Sequence, residues 1–264
     1  RSQTANGAMT DQLTSASPPR YVKLTRSGNV FTGAISTNGV TWTTVGSVTL
    51  AMNEQVYVGI AVGNPNATGT NRAVFSNVEL IQGVPSPWTA VNIGSAAGTA
   101  SYSADSGRFR MSSTDSDIWG TSDVLNYVYQ PWQGNGTFIA YVESMNNVSG
   151  WAKAGLMIRE TLNPGSKHVD MMMTGSYGAT FQYRSQTSGS MTDQLTSGSA
   201  PKWVKLTRVG NTFTGSISND GVSWTVVGSV QVNMASNVYV GLALSNPGSS
   251  SNNETRIRNV EFIQ

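Results

Sequence analysis

The clearest pattern along the chain is short-range alternation of apolar and polar residues, the period of a strand with one face in a core. Residues 203–208, Trp-Val-Lys-Leu-Thr-Arg, alternate in this way, and residues 211–218 place Phe213 and Ile217 on one face. Asn219-Asp220-Gly221 then predicts a tight hairpin turn, because such turns need positive φ and Asp-Gly supplies it. Residues 222–232 return as the partner strand. Residues 237–245 put Val238, Val240, Leu242 and Leu244 on one face, and 256–263 form a last strand. Further upstream, 136–144, 152–160, 168–174 and 179–184 also read as strands. No window keeps a helical period. Many short strands set apart by Gly, Asn and Ser predict an all-β, antiparallel two-sheet sandwich or jelly roll.

The same pattern occurs twice. The segment from Arg1 (RSQTANGAMTDQLTSASPPRYVKLTRSGNVFTGAISTNGVTWTTVGSV) returns from Arg184 (RSQTSGSMTDQLTSGSAPKWVKLTRVGNTFTGSISNDGVSWTVVGSV). Beyond the first loop the offset is constant: Leu24 matches Leu206, Trp42 matches Trp224 and Asn77 matches Asn259. Residues 83–183 occur once. GVPSP at 83–87 reads as a linker, since Gly and Pro resist both helix and ladder. The expected organisation is therefore a C-terminal half-domain at 1–82, a linker at 83–87 and a complete domain at 88–264. A lone half-domain exposes its core face and open strand edges. Either the chain is cut from a tandem array, or the orphan half pairs with 88–183 or with a neighbouring molecule, which would build a head-to-tail filament.

Motifs across the complete domain carry a likeness. DIWGTSD at 117–123, YVYQPWQGNGTFIAYV at 127–142, WAKAGLMIRETLNPGSKHV at 151–169, FQYRSQ at 181–186, the 203–230 stretch and VYVGLALSN at 238–246 together resemble a bacterial secreted domain of the concanavalin A-like lectin/glucanase superfamily. The resemblance implies a concanavalin A-like jelly roll serving as an accessory module of carbohydrate-active enzymes, cell-surface proteins or long exoproteins. That superfamily holds both lectins and glycanases, so the fold leaves activity open.

Composition narrows the choice. Charged residues are 11% of the chain, the net charge is +2 and no basic block stands out, so the footprint of a nucleic-acid binder is missing. There is no cysteine, which removes thiol catalysis and thiolate metal sites. A neutral polar surface without cysteine suits an extracellular or bacterial cell-surface setting. The chain begins at Arg1 with neither Met nor a signal peptide, which reads as a processed form or a piece of a longer protein.

Candidate chemistry is sparse. A glycanase needs two carboxylates roughly 5–10 Å apart on one face. Glu160 follows Arg159 and is expected to pair with it or with Lys167, Asp170 is beside His168, and Glu254 and Glu261 have no acidic neighbour at useful spacing. His168 is the sole histidine and comes without a nucleophile motif. We therefore expect no enzyme. Asp115, Asp117 and Asp123 lie within nine residues and form a candidate calcium site, the plainer reading being that they cap turns. The hairpin 216–224 resembles an Asp-box turn, with Trp224 and Trp42 expected to cover it. Sugar rings stack on aromatic side chains while neutral polar groups orient them. Trp132 in a Gly-flanked loop, Tyr177 in GSYG, and Tyr183 with Arg184 at a strand end are the candidate glycan-binding residues. The expected function is a non-catalytic glycan-binding or adhesive module, the alternative a structural repeat of a fibre or stalk.

Overall fold

The computed structural model describes residues 11–53, 56–63, 68–146, 149–250 and 252–264. It divides into two compact units, Arg1–Phe75 and Ser76–Gln264. The division falls ahead of the Pro-rich 83–87 stretch.

In the first unit a three-stranded antiparallel meander stands alone: β1 (Tyr21–Ser27), β2 (Val30–Ser36) and β3 (Thr43–Thr49). Residues 56–63, Val-Tyr-Val-Gly-Ile-Ala-Val-Gly, form no strand despite their alternation.

The second unit starts with the two-residue β4 (Ile81–Gln82), followed by β5 (Thr89–Ile93), β6 (Ala97–Ser103), β7 (Arg108–Thr114), β8 (Leu125–Gln133) and β9 (Gly136–Met145). It continues with β10 (Lys153–Arg159), β11 (His168–Thr174), β12 (Ala179–Arg184) and β13 (Thr192–Thr196). Last come β14 (Lys202–Val209), β15 (Thr212–Ser218), β16 (Thr225–Gln231), β17 (Asn237–Ser245) and β18 (Asn253–Ile263). Seven strands form one sheet in the order β13-β12-β11-β10-β17-β8-β5. Eight form the other, β16-β15-β14-β9-β18-β7-β6-β4. Every pairing within these sheets is antiparallel, and the described residues include no helix.

The core lies between the sheets. Leu156, Ile158, Val169, Met171, Phe181, Val240 and Leu242 of the seven-stranded sheet meet Phe138, Ala140, Val142, Val204, Leu206 and Phe213 of the other. Glycine lets the layers close. A Cβ on Gly215 or Gly228 would lie 2.3 or 2.4 Å from a Phe181 ring carbon, so this ring is seated against two glycines. The seven-stranded sheet is buried on its other face too. Met157, Met172, Tyr127 and Ala243 form a second apolar cluster with Ile118 and Met191, which lie outside the strands. Strands covered on both faces read as nearly continuous apolar runs, as in Ala154 to Ile158.

The pairing explains why the described residues of the first unit form three strands. β17 is bonded to β10 and β8, β18 to β9 and β7, and β13 to β12. Each of those partners comes from the part that occurs once. Only β14, β15 and β16 bond to one another, and their counterparts β1, β2 and β3 are the strands that form. The copies agree in detail. The bulge at Gly215/Ser216 recurs at Gly33/Ala34. Arg208 donates to the carbonyls of Met234 and Ala235, and Arg26 to those of Met52 and Asn53.

Burial, however, differs: Val204 and Leu206 are wholly covered, whereas Val22 and Leu24 are 70% and 72% exposed. Leu206→Ala should therefore lower stability by about 2–5 kcal/mol, the usual cost of a core cavity. Leu24→Ala should change it by less than about 0.5 kcal/mol. Urea unfolding followed by tryptophan fluorescence reads both, and similar costs for the two would contradict the difference in packing.

Candidate functional site

Antiparallel register brings the polar residues of β10, β11 and β12 into rows on the face of the seven-stranded sheet turned away from the core. Arg159, His168 and Arg184 are direct neighbours in one row, and Met157, Asp170 and Gln182 in the next. Arg159, His168, Asp170, Gln182 and Arg184 are all fully buried. The reason is the loop between β7 and β8, which folds back over them. Its Asp123, itself buried, accepts two bonds from the Arg184 guanidinium at 2.7 and 2.8 Å. The same carboxylate lies 3.5 Å from Arg159 and 3.4 Å from His168 Nδ1. Arg159 also donates to the Thr161 and Asn163 carbonyls, and Arg184 to those of Gly120, Ser166 and Gly189. Nearer the loop's start, Asp117 pairs with Lys153 Nζ at 2.5 Å and Ile118 is sealed from solvent.

This geometry corrects two expectations. Arg184 does not face a ligand, because its guanidinium is spent on Asp123 and on the carbonyls of Gly120, Pro164, Ser166 and Gly189. The three aspartates do not converge either: Asp115 is exposed with φ of 39°, Asp117 holds Lys153 and Asp123 holds the arginines. Among the described residues no group of three or more His, Cys, Asp or Glu side chains is placed to hold a metal ion. The cluster acts as a clamp that pins the loop. The Asp170 carboxyl beside it is pushed above its usual range by burial, with His168, 3.3 Å away, opposing the shift.

Trp132 is also corrected. It sits at the end of β8, 6% exposed, edge-on to Phe262 and 5.8 Å from the Arg208 guanidinium. Gly134 belongs to the turn and Gly136 opens β9, while strand alternation sends the indole into the core. Tyr183 is half-buried against the same core, its ring 6.3 Å from Phe181. Of the four candidate aromatic and arginine positions, Tyr177 alone is open, at 51% exposure.

Tyr177 does not stand by itself. Its ring is stacked on Trp151, centroids 4.3 Å apart and planes 29° off parallel, and Trp151 is 39% exposed. The β10–β11 register makes the pair: Lys153 opposite Thr174 brings the residues just outside both strand ends together. Backbone bonds hold the two ends in place, from Gly175 N to Ala152 O at 2.9 Å and from Ser176 N to Gly150 O at 3.0 Å. The Thr174 hydroxyl accepts from Tyr177 N and donates to Gly178 O, both at 2.8 Å. Gly150 must be glycine, since a Cβ there would lie 2.9 Å from the Tyr177 ring. The Lys153 ammonium lies 6.0 Å from the Trp151 ring centre. Nothing local in the sequence sets Trp151 apart from the other indoles. Pairing the predicted strands at 152–160 and 168–174 would have found it.

A second open feature is a polar cleft of about 470 Å³ beside the β15–β16 hairpin, lined by Thr196, Lys202, Ser218, Asn219, Asp220 and Ser223. The Asp220 carboxylate accepts from the backbone N–H groups of Val222 and Ser223, each at 2.8 Å, which holds it well below the usual carboxylate range. Asn38 makes the same turn in the first unit with an uncharged amide. The ring against the turn glycine is Trp203, and Tyr21 in the first unit, not the expected Trp224 and Trp42. Those two indoles lie under the ammonium groups of Lys205 and Lys23.

No family model matches the chain, and no curated protein matches it. Among solved structures, a functionally unknown protein from Saccharomyces cerevisiae is similar at 15% identity and a TM-score of 0.53, over 67% of this chain and 96% of that one. A glycoside hydrolase family 16 endo-glucanase from Bacteroides ovatus matches at 10% identity and 0.44, over 67% and 94%. Lectin I-B4 from Griffonia simplicifolia matches at 9% and 0.44, over 71% and 100%. The second unit is an antiparallel two-sheet β-sandwich.

Two substitutions test the clamp. Asp123→Asn leaves two buried guanidinium groups without a counter-charge and should cost about 3–5 kcal/mol in urea unfolding. For Asp170, the folded chain keeps a proton that the unfolded chain releases above 3.8. Stability contributed by that proton is full below this value and falls as pH rises toward the folded-state pKa. The stability of Asp170→Asn relative to the parent should therefore increase with pH above 3.8, and a pH-independent difference would refute it.

Proposed function

We propose that this chain is a non-catalytic glycan-binding module of the extracellular or cell-surface kind, with Trp151 and Tyr177 as its sugar platform. The observation that carries the reading is the exposed, rigidly held stack of these two rings. Partly exposed indole and phenol faces match the apolar C–H faces of a sugar ring, and the loop bonds hold them in place before a ligand arrives. Contact of this kind needs no bound ion. The sheet face that carries Asp170 is filled by the Asp117–Asp123 loop, which favours binding over hydrolysis, since a hydrolase must bring its carboxylates to the substrate.

A glycan array probed with the full chain, followed by titration of the best sugar, tests the proposal. Trp151→Ala or Tyr177→Ala should weaken binding by about tenfold, equal to 1.4 kcal/mol. Val222→Ala, exposed at the hairpin, should leave it unchanged. Binding that survives both aromatic substitutions would move the site elsewhere, and an array without any bound sugar would end the glycan reading.

A further inference from the structure

The first unit carries a shallow apolar groove of about 280 Å³ lined by Val22, Leu24, Gly33, Ala34, Ile35 and Val45. Its counterparts in the second unit have a known occupant. Gly215 and Gly228 receive the Phe181 ring, in the same core cluster as Val204, Leu206 and Ile217, and Met171 Sδ would lie 2.8 Å from a Cβ on Gly215. In the first unit Gly33 has nothing within 4 Å of the equivalent point. The Gln194 side chain lies against Gly228, and Gln12 against Gly46, so even the rim of the socket is repeated. The edge of β14 that bonds to β9, Lys202 opposite Val142 through Arg208 opposite Gly136, corresponds to an edge of β1 that no described strand covers. Downstream, Val58, Ile60 and Val62 are 69%, 54% and 52% exposed, where their counterparts Val240, Leu242 and Leu244 are wholly buried between β8 and β10.

We propose that this face is a docking surface for a half-domain of the 88–183 type, which would seat an aromatic side chain between Gly33 and Gly46 and add a strand to β1 as β9 is added to β14. The partner's chemistry is set by the socket: an edge strand with the Phe-Ile-Ala-Tyr-Val pattern of 138–142, and a second strand carrying a Phe at the Phe181 position. A second copy of this chain is not the occupant. Residues 1–264 hold one segment of the 88–183 type and two that could pair with it, so exchange between copies of these residues fills one socket only by emptying another. The inference rests on the paired geometry of the two units and is independent of the sugar platform.

The test lengthens the full chain by a further copy of residues 83–183 joined ahead of Arg1. Hydrogen exchange of the amides in β1 should slow at least ~100-fold relative to the parent, because they would open only with a complete sandwich. Gly33→Val should abolish that protection in the lengthened chain while leaving the parent's unfolding midpoint unchanged, since the parent has free space there. Unchanged exchange in the lengthened chain would overturn the proposal. So would a parent chain whose mass doubles with concentration while β1 becomes protected, which would make a second copy the occupant.

Discussion

Two arginines lie wholly out of water on the outer face of the seven-stranded sheet, a placement that is tolerable only because Asp123 meets both. Removing a guanidinium from solvent costs several kcal/mol, recovered only through close countercharge and full hydrogen bonding. Arg184 satisfies this with a two-pronged bond to Asp123 and bonds to four carbonyls. Those carbonyls belong to three separate loops, near Gly120, Ser166 and Gly189. One ion cluster thus ties the β7–β8, β10–β11 and β12–β13 connections to a single point. With that point fixed, Ile118 and Met191 can cover the sheet and the second apolar cluster closes. The same closure leaves ligand contact to the rims, where Trp151 and Tyr177 stand.

The strands were largely legible. Alternation placed nine of them close to their observed limits, because one face of each meets the core and side-chain direction has a period of two. The hairpin at Asn219-Asp220-Gly221 was legible for the same local reason. The strands β5, β6 and β13 carry mostly small and polar residues on half-covered surfaces, and their alternation is too faint to see, while β7 offers only Phe109 and Met111 as its apolar positions.

The site was less legible. Trp132 follows a proline and precedes a Gly-Asn-Gly turn, and local composition alone suggests an open loop; pairing with Val238 carries it into the core. Arg184 ends a strand beside a polar loop, and nothing local says that Asp123, 61 positions away, folds over it. Clustered aspartates suggested an ion for a similar reason: spacing records proximity in the chain, whereas Asp117 and Asp123 are claimed by different distant cations and Asp115 faces solvent. Trp151 and Tyr177 are 26 residues apart and become neighbours only through strand register.

The short strand β4 has a practical consequence for dividing the chain. It lies ahead of the Pro-rich stretch yet bonds to β6, and Glu79 just before it pairs with Arg108 and Arg110. These residues end the first copy by sequence but belong to the second unit by contact. A cut made at the evident linker would strip the outer edge of the eight-stranded sheet and leave two arginines short of a partner. An unpaired edge is a template for intermolecular strand addition. Protein cut after Gln82 would thus be more prone to sticky, concentration-dependent aggregation than protein cut before Ser76, although the latter is longer by only a few exposed residues.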